Sequence, residues 1–227
     1  MLFRSSTVNI NDYKNIWVYV EQRDGKFMNV ALELLGEAYN LAQDIGDATK
    51  VCALLVGDGV EGLADECFEY GADQVYIIED PLLKQFTTDA YTKVITDAVN
   101  QYKPEILMYG ATHIGRDLAS RVAARLDTGL TADCTHLDVN VAEYIKFAEE
   151  NTTLNTASLN PNDPDKGLKM TRPAFGGNLM ATIVCPRTRP QMATVRPGVM
   201  SKIEPRKGAK GERLRSEERR VGKECRS

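Results

Sequence analysis

The segment GATHIGRDLASRVAARL (Gly110–Leu126) holds the residues best placed to do chemistry. An apolar run ends at Gly110, a short glycine-containing turn follows, and a helix opens. In an open α/β sheet, ligands sit outside the carboxyl ends of the strands. A helix N-terminus offers free N–H groups to an anion. Thr112 or His113 would cap that helix, and Arg116 would reach a phosphate or carboxylate. Thr112, His113, Gly115 and Arg116 are therefore the candidate pocket or interface residues. The same residues have a plainer use: Gly110 and Gly115 permit close packing, while Arg116, Arg121 and Arg125 pair with acidic neighbours. Neither a GxGxxG nor a P-loop pattern is present, which favours packing.

Other reactive types are scattered. His113 would serve as a general acid or base, but no serine or cysteine nucleophile pattern points at it, so no catalytic residue is assigned. His136 lies inside a strand pattern and reads as structural. Asp58 and Asp73 fall near strand ends, where turn or capping roles are common. Five cysteines (Cys52, Cys67, Cys134, Cys185 and Cys225) form no CxxC pair and no zinc spacing with the two histidines. No metal site is expected, and the thiols read as reduced and mostly buried, with Cys225 a separate case. In RPAFGGN (Arg172–Asn178), the Gly-Gly pair marks either a hairpin turn or a close backbone approach to a ligand, the turn being favoured.

These residues must be positioned by a fold, and alternating patterns supply one. NIWVYVEQ (Asn15–Gln22), KVCALLVG (Lys50–Gly57), DQVYIIE (Asp73–Glu79), EILMYGAT (Glu105–Thr112) and LTADCTHLDV (Leu130–Val139) read as strands. Their near-continuous apolar character is that of parallel strands covered on both faces. Between them, Met28–Gly46, Val60–Tyr70, Thr88–Tyr102 and Ile114–Leu126 carry apolar residues at helical spacing. Such alternation implies an α/β fold with an open, mostly parallel, doubly wound sheet. After Val139 the pattern changes. Tyr144–Glu150, Lys169–Arg172, Leu179–Pro186 and Pro190–Arg196 read as strand-like pieces forming an antiparallel extension at the C-terminal end. Pro190–Arg196 reads as an edge strand leading into a linker.

Composition narrows the role. The chain has 227 residues, 43% hydrophobic and 26% charged, as in ordinary soluble globular proteins. The net charge of −4, without a basic stripe bearing aromatics, argues against nucleic acid as a partner. No apolar run approaches the ~20 residues that span a bilayer, and the opening residues lack a signal-peptide core. A cytoplasmic protein without membrane contact is expected.

The ends differ in character. RSEERRVGKECRS (215–227) and MLFRS (1–5) resemble in-frame translations of a sequencing adapter pair. The expected organisation is adapter-derived ends at 1–5 and 215–227, an α/β domain at 6–200, and a linker at 201–214.

Three segments in order resemble the alpha subunits of electron-transfer flavoproteins: WVYVEQRDGK, GATHIGRDLASRVAARLDTGLTADCTHLDV and RPAFGGNLMATIVCPRTRPQMATVRPGV. The likeness covers essentially Asn9 to Ser201, with a departure at Ser120, where the family usually has proline. The resemblance implies an adenine-nucleotide-hydrolase-like domain that packs against a beta subunit. It also implies a separate C-terminal domain that grips FAD and passes electrons between NADH or an acyl-CoA dehydrogenase or enoyl-CoA reductase partner. That FAD domain would begin soon after Lys210, where the sequence becomes adapter-like, so no FAD-contact residue is carried over. Some relatives bifurcate electrons. Two other roles share the layout: a stand-alone nucleotide-binding domain of the universal-stress type, and a cofactor-free interaction module.

Overall fold

The computed structural model describes residues 9–46, 48–177 and 179–215. The first strand, β1 (Ile16–Tyr19), is wholly buried. Successive side chains on a strand point to opposite faces. Ile16 and Val18 accordingly enter one core, and Trp17 and Tyr19 enter the other. A small hairpin, β2 (Gln22–Arg23) and β3 (Lys26–Phe27), turns through Asp24 and Gly25, both at positive φ. Helix α1 (Asn29–Ile45) buries Leu34 and Leu35 completely, each worth about 1.5–3 kcal/mol relative to exposure. Gly46, at φ 122°, stops it.

Three further units follow. Strand β4 (Val51–Gly57) leads through a 3₁₀ turn into α2 (Ala64–Glu69). Strand β5 (Gln74–Glu79) precedes α3 (Thr88–Tyr102), and β6 (Ile106–Gly110) precedes α4 (His113–Leu126). Strand β7 is Leu130–Cys134 and β8 is His136–Asp138. Helix α5 (Val141–Asn151) follows, then β9 (Lys169–Ala174), β10 (Leu179–Ile183), β11 (Gln191–Val195) and β12 (Glu212–Arg215).

The main sheet runs β12-β5-β4-β1-β6-β11-β7, with every neighbouring pair parallel. Helices α1 and α2 cover one face, and α3 and α4 cover the other. A second sheet, β10-β9-β8, is antiparallel. This is the expected doubly wound α/β architecture with antiparallel strands toward the C-terminal end.

Several local expectations are corrected. Tyr144–Glu150 is helical, within α5. Asn140 caps that helix by accepting the Ala142 N–H at 2.9 Å, and Ala142, Glu143, Lys146, Ala148, Glu149 and Glu150 are helix formers. LTADCTHLDV is not one strand. Asp133 adopts φ 59° beside a register shift against β11, and the chain then leaves the main sheet for the small one. Strand β11 is interior, between β6 and β7, and fully buried. Pro190 and Pro197 flank its paired residues, so neither removes a ladder hydrogen bond.

The segment expected to be a linker is a strap across α1 and α2. Ile203 packs over Gly36 and Gly71, where an added Cβ would meet its atoms at 3.0 and 3.2 Å. The Arg206 guanidinium lies 4.9 Å from the Tyr39 ring centroid. The strap then delivers β12 alongside β5. The expected boundary at 214/215 falls inside β12, where Arg215 pairs with Glu61. Residues 1–5 and 216–227 lie outside the described residues.

Candidate functional site

Strand β1 lies where the order of the main sheet reverses, and the chain beyond it carries Glu21 to the carboxyl edge. That charged residue ends an otherwise apolar run, yet its side chain is only 3% exposed. Burial of a carboxylate demands partners, and three groups answer. Arg23 donates from Nε at 3.2 Å and from Nη2 at 2.9 Å. Thr112 donates its hydroxyl to Glu21 Oε2 at 2.5 Å.

Thr112 also caps α4, its Oγ1 accepting the Gly115 N–H at 2.9 Å. Gly115 sits so close to β6 that an added Cβ would lie 1.9 Å from the Gly110 carbonyl oxygen. At Gly110 a Cβ would lie 2.5 Å from Val30 Cγ1. The glycines permit backbone contact between strand, turn and helix. Thr112 and Gly115 therefore come together, but around a protein carboxylate. Arg116 turns to Asp133, Nη2 to Oδ1 at 2.8 Å, fastening α4 to β7. His113 opens α4 and is exposed.

The crevice at the switch point is thus filled by Glu21, Thr112 and Arg23. A dinucleotide phosphate placed there would face the Glu21 carboxylate, so these residues do not fit a flavin dinucleotide. Glu21 was missed by sequence reasoning. The available signal was an acidic residue closing a strand that is otherwise buried on both faces.

The remaining candidates take structural roles. The Asp73 carboxylate accepts the Val51 N–H at 2.9 Å, joining the chain before β5 to β4. His136 pairs with Asp138 at 2.9 Å and stacks on Phe147, with ring centroids 3.6 Å apart. Nearby, burial pushes the Glu37 carboxyl up to about 7, opposed by His136 and reinforced by Asp138 and Asp44. Gly176 and Gly177 form the turn between β9 and β10, both at positive φ. Ser120 fits α4, its hydroxyl donating to the Arg116 carbonyl at 2.8 Å. Cys52, Cys67, Cys134 and Cys185 are free thiols, while Cys225 lies outside the described residues. Burial raises the thiol pKa of Cys52 to about 12, which removes nucleophilic character at neutral pH.

The two largest of the open volumes described lie elsewhere. One, of about 480 Å³, lies at the amino ends of the strands, where Glu105 and Arg189 pair at 2.6 Å. The other, about 550 Å³, runs between α5 and β10. Among the described residues no group of histidine, cysteine or acidic side chains is placed to hold a metal. No described helix is long and apolar enough to cross a membrane.

Comparison with known proteins sets this geometry in context. The family model for the electron transfer flavoprotein domain matches residues 16–218. The acryloyl-CoA reductase electron transfer subunit beta of Anaerotignum propionicum is 52% identical over 204 residues, 90% of this chain and 54% of that protein. The electron transfer flavoprotein subunit alpha of Thermoanaerobacterium thermosaccharolyticum is 51% identical over 193 residues, 85% of this chain and 51% of its own length. Protein FixB of Clostridium saccharobutylicum is 54% identical over 196 residues, 86% of this chain and 51% of its own. The chain spans about half the length of these curated relatives.

Proposed function

The chain belongs to the electron transfer flavoprotein family, and from that premise we propose that it is the N-terminal, subunit-packing part of an alpha subunit. In the complete protein, FAD would accept electrons from one partner and release them to another. The partners would be a beta subunit, NADH or an acyl-CoA dehydrogenase, and an enoyl-CoA reductase, with electron bifurcation in the parent complex. The domain is a carrier's scaffold and performs no bond-making chemistry itself. Its free thiols and soluble-type composition suit the cytoplasm.

One observation carries this reading over the nucleotide-binding alternative. The switch-point crevice is closed by the Glu21–Thr112 contact and by glycine-mediated packing of α4 on β6. A domain with that crevice filled offers its outer surface to partners and leaves cofactor binding to other residues.

The test is flavin content. The chain purified alone, then incubated with excess FAD and desalted, is expected to show no stoichiometric flavin absorbance near 450 nm. A tightly held, stoichiometric flavin would overturn the reading.

A further inference from the structure

The opening of about 480 Å³ at the amino ends of the strands lies at the opposite end of the sheet from the Glu21 crevice. Its size is that of a small-molecule pocket. Ile16, Ile45 and Ala48 give it apolar surface. A charged pair lines it as well: Arg189, which precedes β11, and Glu105, which precedes β6. The Arg189 side chain is 9% exposed and that of Glu105 25%. Charges so deeply placed are costly to desolvate, and each remaining donor or acceptor on them needs a partner.

Those partners are few. Arg189 pairs through Nε with Glu105 Oε1 at 2.6 Å, and its Nη1 donates to the Cys185 and Thr188 carbonyls at 3.1 and 2.9 Å. Glu105 Oε1 also accepts from Gln191 Nε2 at 3.2 Å. Among the described residues, Arg189 Nη2 and Glu105 Oε2 have no hydrogen-bond partner. One donor and one acceptor, carried by a single ion pair lining the cavity, are left over. The wall beside them is fastened in place. Lys169, with its side chain buried, donates to Asp165 Oδ2 at 2.8 Å and to the Gly167 carbonyl at 3.0 Å, and Gln191 Oε1 accepts the Leu168 N–H at 3.0 Å. A pocket already formed loses little entropy when a ligand enters.

Charge selects the ligand. A carboxylate placed on Arg189 would crowd the Glu105 carboxylate, and like charges repel. An ammonium group would find Glu105 already paired with Arg189, and Asp165 with Lys169. A neutral group that carries a carbonyl beside an N–H meets neither obstacle. We propose that this cavity binds a small neutral carboxamide. Its carbonyl accepts from Arg189 Nη2, its N–H donates to Glu105 Oε2, and its apolar body lies on Ile16, Ile45 and Ala48. The site is independent of the role proposed above.

The experiment is a titration of the purified, isotope-labelled chain with benzamide, read by backbone amide shifts. Benzoate and benzylamine, of similar size but opposite charges, are titrated in parallel. Benzamide is expected to shift the amides of Ile16, Thr49 and Gly167 saturably, with a millimolar Kd that suits so small a ligand. The two charged probes are expected to bind roughly tenfold more weakly or worse, since each leaves a buried group unmatched. Ala48→Phe, at an exposed position on the rim, is expected to abolish the benzamide shifts without touching the ion pair. Arg189→Lys keeps the charge but loses the forked donor, and is expected to weaken benzamide by roughly tenfold. Should Arg189→Lys disturb the fold, Ala48→Phe decides. Benzoate or benzylamine binding as tightly as benzamide overturns the assigned ligand class. Absence of saturable shifts at these residues, or benzamide binding unchanged by Ala48→Phe, overturns the site.

Discussion

The Thr112 hydroxyl donates to Glu21 Oε2 at 2.5 Å while its oxygen accepts the Gly115 N–H at 2.9 Å. One side chain thus caps α4 and satisfies a buried carboxylate on the chain leaving β1. Thr112→Ala removes both interactions and strands the carboxylate, at a combined cost of about 2–4 kcal/mol. Urea unfolding measures it, and Thr112→Ser is expected to recover most of the loss. An alanine variant as stable as the native chain would show that the contact contributes nothing.

The same geometry predicts how the crevice treats nucleotides. AMP and ATP are expected to give no saturable heat on titration into the chain. Saturable binding in the micromolar range would place a ligand at the crevice and favour the universal-stress type of role.

Gly115→Ala is expected to cost about 3 kcal/mol or more, since the new methyl group must displace the Gly110 carbonyl. Gly62→Ala, where nothing lies within 4 Å of the added atom, is expected to change stability by less than about 0.5 kcal/mol. Denaturant midpoints of the two variants compare the effects directly.

Much of this was legible in the sequence. The runs KVCALLVG and EILMYGAT became strands buried on both faces, and Thr88–Tyr102 became a helix with the expected bounds. Within Gly110–Leu126, Gly115 packs against β6 and Arg116 pairs with Asp133, as the plainer reading of their types expects. What escaped depends on tertiary context. Nothing local marks Glu21, because its partner Thr112 lies 91 residues away in the chain. The β-branched and aromatic run YIKF masked a helix set by Asn140. The polar, proline-containing strap had no apolar period to announce that Ile203 docks on Gly36 and Gly71.

Glu37 makes stability depend on pH. Burial lifts its folded-state pKa from the ordinary glutamate value of 4.5 to about 7, so the folded state binds the extra proton between those values. Its stabilising contribution is complete below pH 4.5 and is lost as pH rises through 7. Glu37→Gln abolishes that loss. The variant is expected to gain on the order of 2 kcal/mol over the native chain between pH 5 and pH 8. Parallel unfolding curves across that range would contradict the assignment.

The central claim is that this domain packs against a beta subunit. Sedimentation velocity of an equimolar mixture of the chain and the companion beta subunit tests it most directly. The account predicts one faster-sedimenting species of one-to-one stoichiometry. Two independent boundaries at micromolar concentration would contradict it.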